Sequence, residues 1–570
     1  MKPLISFEED RLPNKKVLHG ILVAIVLLSV LVRGLMAWFL ELGNDEVYYY
    51  LYALYPDISH FDHPPMVGYI IQAFTFDLIY NSEFALRMGS IVLGAANTIL
   101  MYFIGRKLRN SITGLIAAML YSASVYCFVI AGIFILPDTP QTFFWIVSLY
   151  LLLHALGDTE VSAKSRMMMF YTGIPIGLAM LSKYTSVFLW VGVFLYIIFY
   201  NRKWLKTSEL YISVLFSALL FSPVLFWNIE NNWVSFTFQG ERASFFASGV
   251  RPDFFVAELF GQILYNNPVN FAIIASSLFA FFRLRFPFKK ENARILLLTS
   301  LPLIATFLFI SVFRRTLPHW TGPAYISLIL FAAVFLTEKA MIPEKAVVFP
   351  KPVVVSLMLL GLFLAVGFFQ VKRGIFTFPD YHDEKTLGKN DVTLDMYGWR
   401  QFSAKFYELY DHDLITSNMS ARSPIISHRW FPAAHLDYYV GLKRNINLLT
   451  VGSLERIHKY AWINRYREPL TLGSDAWFIT SSRDFQDPEP LLGQYFIYIE
   501  EPERVKIFKG RKWVENFFVY RLRSCIKPLP DVLEDIGIRM PVDSSAYYHD
   551  EPLHDSVQKI LDSLPEAFGK

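Results

Sequence analysis

Cysteine, charge and metal-binding motifs are all scarce in this chain. Only 2 of the 570 residues are cysteine. Cys127 lies inside an apolar run and Cys525 near the end of a polar C-terminal region, so they read as free thiols without a disulfide framework. No Cys-x-x-Cys or His-Glu-x-x-His pattern occurs, which excludes the most recognisable zinc signatures. Charged residues make up 18% of the chain, against about 25% in an ordinary soluble domain. The formal net charge is +4, and no basic stripe interleaved with aromatics stands out, so nucleic acid is not an expected partner. A cleavable leader is not expected either. The apolar stretch 17–40 is longer than a signal-peptide core, lacks a small-residue cleavage site, and reads as a first transmembrane helix after a short polar tail.

What is abundant is apolar surface. Hydrophobic residues reach 54% and aromatics 17%, concentrated in the first two thirds in runs of roughly 16–25 residues, the length a bilayer core demands. The expected fold class is a polytopic α-helical membrane protein with about eleven transmembrane helices. The spans fall near 17–40, 86–106, 111–132, 139–157, 168–182, 186–200, 209–227, 254–282, 294–313, 320–338 and 352–371. The segment 64–82 is apolar but broken and opens on Pro64-Pro65, so it reads as an interfacial helix.

Basic residues in short loops set the orientation. Arg106, Lys107 and Arg109, then Lys164 and Arg166, Arg202, Lys203 and Lys206, and the cluster from Arg283 to Arg294 mark the cytoplasmic side. The acidic loop 41–63, the turn at Asp138 and the loop 228–253 mark the other side. Arg314 and Arg315 break the rule there; they are either a phosphate site or two charges that escaped the bias. With a cytoplasmic start and an odd number of spans, residues 373–525 form a soluble extracytoplasmic α/β or α+β domain. Its strand-like runs are at 446–451, 476–480, 495–500 and 517–522, and residues 526–570 form a tail with an amphipathic piece at 553–564. Residues 1–372 are the membrane domain, with its first extracytoplasmic loop at 41–82.

The chemistry-bearing residues gather on that outer face. Asp45 and Glu46, in Gly43-Asn44-Asp45-Glu46, follow the first span directly. Adjacent acids at a membrane surface are costly and mark a functional site. One would be a general base, its pKa raised by low dielectric and a like charge; the alternative is an N-cap and first-turn acid of an interfacial helix. Asp62 and His63 precede Pro64-Pro65. They are a substrate-positioning pair, two ligands of a divalent metal, or a helix cap with an interfacial imidazole. Asp138 is a catalytic candidate or an N-cap of the following helix. Lys183 and the adjacent Tyr184 sit at the turn of a tight hairpin, where the lysine snorkels or grips a phosphate. Arg242, after Gln239, offers a fork for phosphate oxygens or a salt bridge to a nearby acid. His319 opens the tenth span beside Trp320 as an aromatic-belt anchor or a site residue.

Asn44-Asp45-Glu46-x-Tyr-Tyr followed by Phe61-Asp62-His63-Pro64-Pro65 resembles the first loop of the bacterial protein O-mannosyltransferase-like glycosyltransferases. That is glycosyltransferase family 39 and its relatives, including the lipid A aminoarabinose transferases, of the GT-C fold class. Leu136-Pro137-Asp138-Thr139-Pro140, Leu181-Ser182-Lys183-Tyr184-Thr185, the Trp227 to Gln239 stretch and Pro318-His319-Trp320 extend the resemblance over roughly residues 17–340. It implies an enzyme of the bacterial inner membrane with its site facing the periplasm. The donor would be a sugar on a polyprenyl phosphate, transferred with inversion to a glycan, lipid or protein acceptor, with Asp45 as base. Gln239, Tyr184 and the cations would bind substrate. In the aminoarabinose branch Glu-Lys precedes the double proline and a metal lies near; here the pair is Asp62-His63, and the mannosyltransferases work without metal.

Three rival classes remain at this level, one of them a receptor-like binding protein whose C-terminal domain is the working part. A flippase for lipid-linked sugars would bury its ionisable groups near the bilayer midplane, whereas here they cluster on one face. A polysaccharide polymerase or ligase would make Asp45 dispensable.

Overall fold

The computed structural model describes residues 15–243, 249–284, 288–339, 349–376 and 383–539. The expected amphipathic piece at 553–564 and the polar N-terminal tail lie outside them. The first helix, α1 (Lys15–Phe39), is followed by two short helices of the first loop, α2 (Asn44–Leu54) and α3 (Met66–Thr75). Next come α4 (Glu83–Leu108), α5 (Ser111–Ala123), α6 (Asp138–Ala155), α7 (Ala163–Met180), α8 (Phe188–Tyr200), α9 (Ser208–Glu230) and α10 (Val234–Ala243). Then come α11 (Pro252–Tyr265), α12 (Pro268–Leu284), α13 (Lys290–Leu298), α14 (Leu301–Ser311), α15 (Gly322–Lys339) and α16 (Lys351–Arg373).

The chain is a polytopic helical membrane protein. Among the described residues, six stretches are long and apolar enough to cross a bilayer: Lys16–Phe39, Glu83–Leu108, Ser208–Glu230, Lys290–Ser311, Pro318–Lys339 and Lys351–Arg373. The window in α15 is 89% buried against 22% in α1 and 17% in α16, which puts α15 at the centre of the bundle and leaves the other two facing lipid. The run expected as one span over 254–282 is two helices. Asn267 takes a left-handed φ of 69° and Pro268 begins α12, a break that a hydropathy window does not see. The run 111–132 also differs: α5 stops at Ala123 and a π-helical turn covers Tyr126–Ile130.

Beyond α16, the chain builds a six-stranded mixed sheet: β1 (Ile425–Ser427), β2 (Leu448–Thr450), β3 (Ala476–Ser481), β4 (Phe496–Ile499), β5 (Glu503–Lys509) and β6 (Lys512–Cys525). Its order is β2-β1-β3-β6-β4, with β5 also paired to β6. The β1 pairs with β2 and β3 are parallel, and β6 is antiparallel to its neighbours. Two helices of this region, α17 (Trp399–Ile415) and α18 (Trp430–Leu436), reach the first loop.

The sheet region is bolted to that loop. Glu41 accepts the backbone N–H of Trp399 at the start of α17 (2.9 Å), and the Tyr439 hydroxyl oxygen accepts the Leu42 amide (2.8 Å). His435 Nε2 pairs with Asn44 Oδ1 (2.9 Å) while its ring stacks on Trp399 at 4.0 Å. Lys459 donates to the Tyr55 carbonyl and to His60 Nδ1 (2.8 Å). Each bond ties α2 or its flanks to the C-terminal region, so the first loop is positioned from both sides.

Candidate active site

The two adjacent acids of α2 have divided their roles. Glu46 is buried and closes the helix start by accepting the Gly43 amide (2.9 Å). It also takes a bidentate grip from Arg87 on α4, Nε to Oε1 at 2.7 Å and Nη2 to Oε2 at 2.5 Å, and the Ile135 amide at 3.2 Å. Two donors on each oxygen fill the lone-pair sites of a carboxylate. Arg87 spends its remaining donors on the carbonyls of Ala37, Leu40 and Glu41. The expectation of Glu46 as a reacting group therefore gives way to a clamp: its carboxylate is saturated by partners that fix the loop.

Asp45 is the reverse case. No hydrogen bond or ion pair engages its carboxylate among the described residues. Its side chain is exposed to water, although protein packs densely around it. Burial pushes its pKa up to about 7, with further upward pressure from Asp395, Asp62, Glu46 and Asp138. Asp395 comes from the C-terminal region, where it pairs with Arg483.

Asp62 is held as a carboxylate. Tyr48 and Tyr52, one turn apart on α2, both donate to its Oδ1 at 2.7 and 2.6 Å. Burial opposes ionisation, but His63, His458 and the two phenols outweigh it and hold the pKa below the usual range. Its backbone carbonyl accepts Gln239 Nε2 (2.6 Å). Asp62 does not cap α3, whose N-cap is Pro65. His63 Nδ1 is buried without a hydrogen-bond partner. Burial brings this ring down to about 4, so it is neutral at pH 7. Among the described residues no group of three or more His, Cys, Asp or Glu is arranged to hold a metal ion.

Asp138 is not an N-cap either; Pro137 occupies that position. Its carboxylate binds Lys183 Nζ (2.8 Å) and the Tyr126 hydroxyl (3.1 Å), and both members of the ion pair are buried. His319 lies within electrostatic reach of Asp138, Lys183 and His63, with its ring 5.8 Å from Tyr265. Tyr184 packs on Phe236 at 5.7 Å. Arg242 lies exposed, with its guanidinium 5.2 Å from both the Phe238 and Trp320 rings, close enough to act on His63. The structure thus brings together Asp45, Asp62, His63, Asp138, Lys183, Gln239, Arg242 and His319. Arg314 and Arg315 stand apart from that cluster in the chain, on the connection between α14 and the turn Pro318–Thr321, and are not among the leading charges acting on Asp45, Asp62, His63 or Asp138.

Several members had no signal of their own in the sequence. Arg87 sits inside an apolar helix, and Asp395, His458 and Lys459 reach the loop only because the sheet region folds over it. The tyrosine run 48–52 was visible, and its period-four pair Tyr48/Tyr52 is what grips Asp62.

Comparison with known proteins bears out the resemblance to GT-C-type glycosyltransferases drawn from the sequence. Residues 62–227 match the family model described as dolichyl-phosphate-mannose-protein mannosyltransferase; Asp45 lies outside the matched stretch. The lipid A galacturonosyltransferase RgtD of Rhizobium johnstonii is 22% identical over 300 residues, 52% of this chain and 60% of that protein. An uncharacterised protein of Aquifex aeolicus is 22% identical over 340 residues, 55% of this chain and 64% of that one. The chain thus spans under two thirds of the curated relatives it matches. ArnT from Cupriavidus metallidurans bound to undecaprenyl phosphate has the same fold, with a TM-score of 0.60 at 14% identity over 88% of this chain and 98% of that one. Its apo form gives 0.58.

Proposed function

We propose that this protein is an inner-membrane glycosyltransferase that moves a sugar from a polyprenyl-phosphate donor to an extracytoplasmic acceptor with inversion. Asp45 is the general base. The acceptor hydroxyl or amine attacks the anomeric carbon, its proton passes to Asp45, and the bond from that carbon to the phosphate oxygen breaks with the electron pair staying on the lipid phosphate. The observation that carries this reading is an unengaged carboxylate at about 7 within electrostatic reach of Asp138, which holds the cation Lys183 at 2.8 Å, with Arg242 acting on the neighbouring His63. A base near the working pH is effective, and fixed cations stabilise the charge that grows on the leaving phosphate. Asp138 orients Lys183 through their 2.8 Å bond. Asp62, held ionised, and Gln239 position the loop and the sugar, with His63, Tyr184 and His319 at the site. The acceptor is a glycolipid, polysaccharide or protein, and the sheet region, a periplasmic domain over 373–525, shapes its access.

The reading is supported by relatives whose names specify lipid A or dolichyl-phosphate-mannose chemistry and by the fold neighbour's undecaprenyl phosphate. The test is detergent-purified protein with mannosyl, galacturonosyl and aminoarabinosyl undecaprenyl phosphates plus an envelope extract, following free undecaprenyl phosphate. Acceptor-dependent release is expected; no release from any donor sinks the proposal. In the same assay Lys183→Met should weaken undecaprenyl-phosphate binding about tenfold or more, the worth of one charge-assisted hydrogen bond. Unchanged affinity would remove Lys183 from the phosphate site.

A further inference from the structure

His458 takes no part in the proposed transfer, yet the chain strains to place it. It comes after the turn Leu454–Ile457 with φ 50° and ψ −130°, a region glycine enters freely and side chains with a Cβ rarely adopt. Such strain persists only where the surrounding fold enforces it, and it collects at functional sites. Here it swings an imidazole from the C-terminal region onto the first loop. The ring stacks on Trp430 at 5.4 Å and 12° and lies 5.4 Å from Phe61 and 5.7 Å from Phe238. It is within electrostatic reach of Asp62 and Arg242. The residue is half-buried, as are Trp430 and Phe238, so each keeps some surface that a ligand can reach. Nδ1 has no hydrogen-bond partner; the Glu455 backbone is near enough to favour protonation but outside bonding geometry. Burial lowers the pKa, leaving a neutral imidazole that can both give and take one hydrogen bond.

Partly exposed aromatic rings with one adaptable polar group beside an ionised carboxylate match a pyranose. The sugar's C–H face packs on the rings, and its hydroxyls need a donor and an acceptor. We propose that His458 and Trp430 form, with Phe238, a carbohydrate subsite beside Asp62, in which His458 hydrogen-bonds a hydroxyl of the transferred sugar. The proposal rests on the glycosyl-transfer reading and adds to it that the C-terminal region contacts the donor sugar.

The test uses His458→Gly, which takes this backbone without strain, and His458→Asn, which tolerates positive φ and retains hydrogen-bonding groups. Melting temperature, affinity for bare undecaprenyl phosphate, and KM and kcat with the sugar-bearing donors are compared with wild type. His458→Gly is expected to keep the wild-type melting temperature and bare-lipid affinity while KM for the sugar donor rises about tenfold. His458→Asn should recover part of that loss, and it carries the comparison alone if the glycine variant does not fold. An unchanged KM overturns the subsite, as does a parallel loss of bare-lipid affinity, which would assign His458 to the phosphate or to folding. If wild type transfers no sugar from any donor, the transfer reading fails first and the subsite falls with it.

Discussion

Asp45→Asn should lower kcat by about 10²–10⁴-fold, the usual contribution of a positioned base, while the protein folds and binds undecaprenyl phosphate as before. The substitution is nearly isosteric and breaks no contact, because the Asp45 carboxylate is unengaged among the described residues. The fold favours its protonated form. The stability tied to this group is therefore full below pH about 4 and is lost as pH rises toward about 7. Removing the charge thus leaves the variant at least as stable as wild type at pH 8. The same group sets the acid limb of the reaction. In wild type kcat/KM should fall about tenfold per pH unit below about 7, well above the limb near 4 of an ordinary aspartate. Full activity in Asp45→Asn, or a flat profile down to pH 5, would take the base away from this residue.

The membrane class and the outer loop were legible in the sequence because both are local. A bilayer demands long apolar runs, and ionisable residues beside them are conspicuous. Asp45, Asp62, Asp138, Lys183 and His319 were all picked from short motifs, and the structure gathers them. Legibility ended where partners are distant in sequence. Asp45 and Glu46 looked equivalent; only the approach of Arg87, 41 residues on, separates the unengaged carboxylate from the clamped one. The strands β2, β3, β4 and β6 were anticipated from runs of β-branched and aromatic residues. The three-residue β1 and the charged β5 were not, since β1 is too short for a pattern and β5 draws its register from β6. The break at Asn267 was hidden because hydropathy averages over a single left-handed residue. Placement of His458, Lys459 and Asp395 against the loop is tertiary, with no local pattern to announce it.

Arg87→Leu should be among the most destabilising single substitutions in the chain, by about 3–5 kcal/mol, the cost of leaving one member of a buried ion pair unpaired. Both partners are buried, with side-chain exposures of 0% for Arg87 and 3% for Glu46. The loss would strand the Glu46 carboxylate and, with it, the carbonyls of Ala37, Leu40 and Glu41 that end α1. Glu46→Leu should cost a comparable amount by the converse route, an unpaired guanidinium. The double substitution should recover part of the loss, because two apolar side chains in place of a buried pair are often tolerated. This cycle separates Glu46 from its neighbour. A catalytic Glu46 would give a variant that is folded and dead, as Asp45→Asn should be. A clamp gives a variant whose melting temperature in detergent falls, while the fraction still folded at low temperature turns over. The effect would reach function through geometry: Arg87 ties the end of α1 to the start of α2, and Asp45, the proposed base, stands one residue before the clamped carboxylate. Thermal melts and single-turnover rates on the three variants read both quantities. A wild-type melting temperature in Arg87→Leu would show that the pair does not hold the loop.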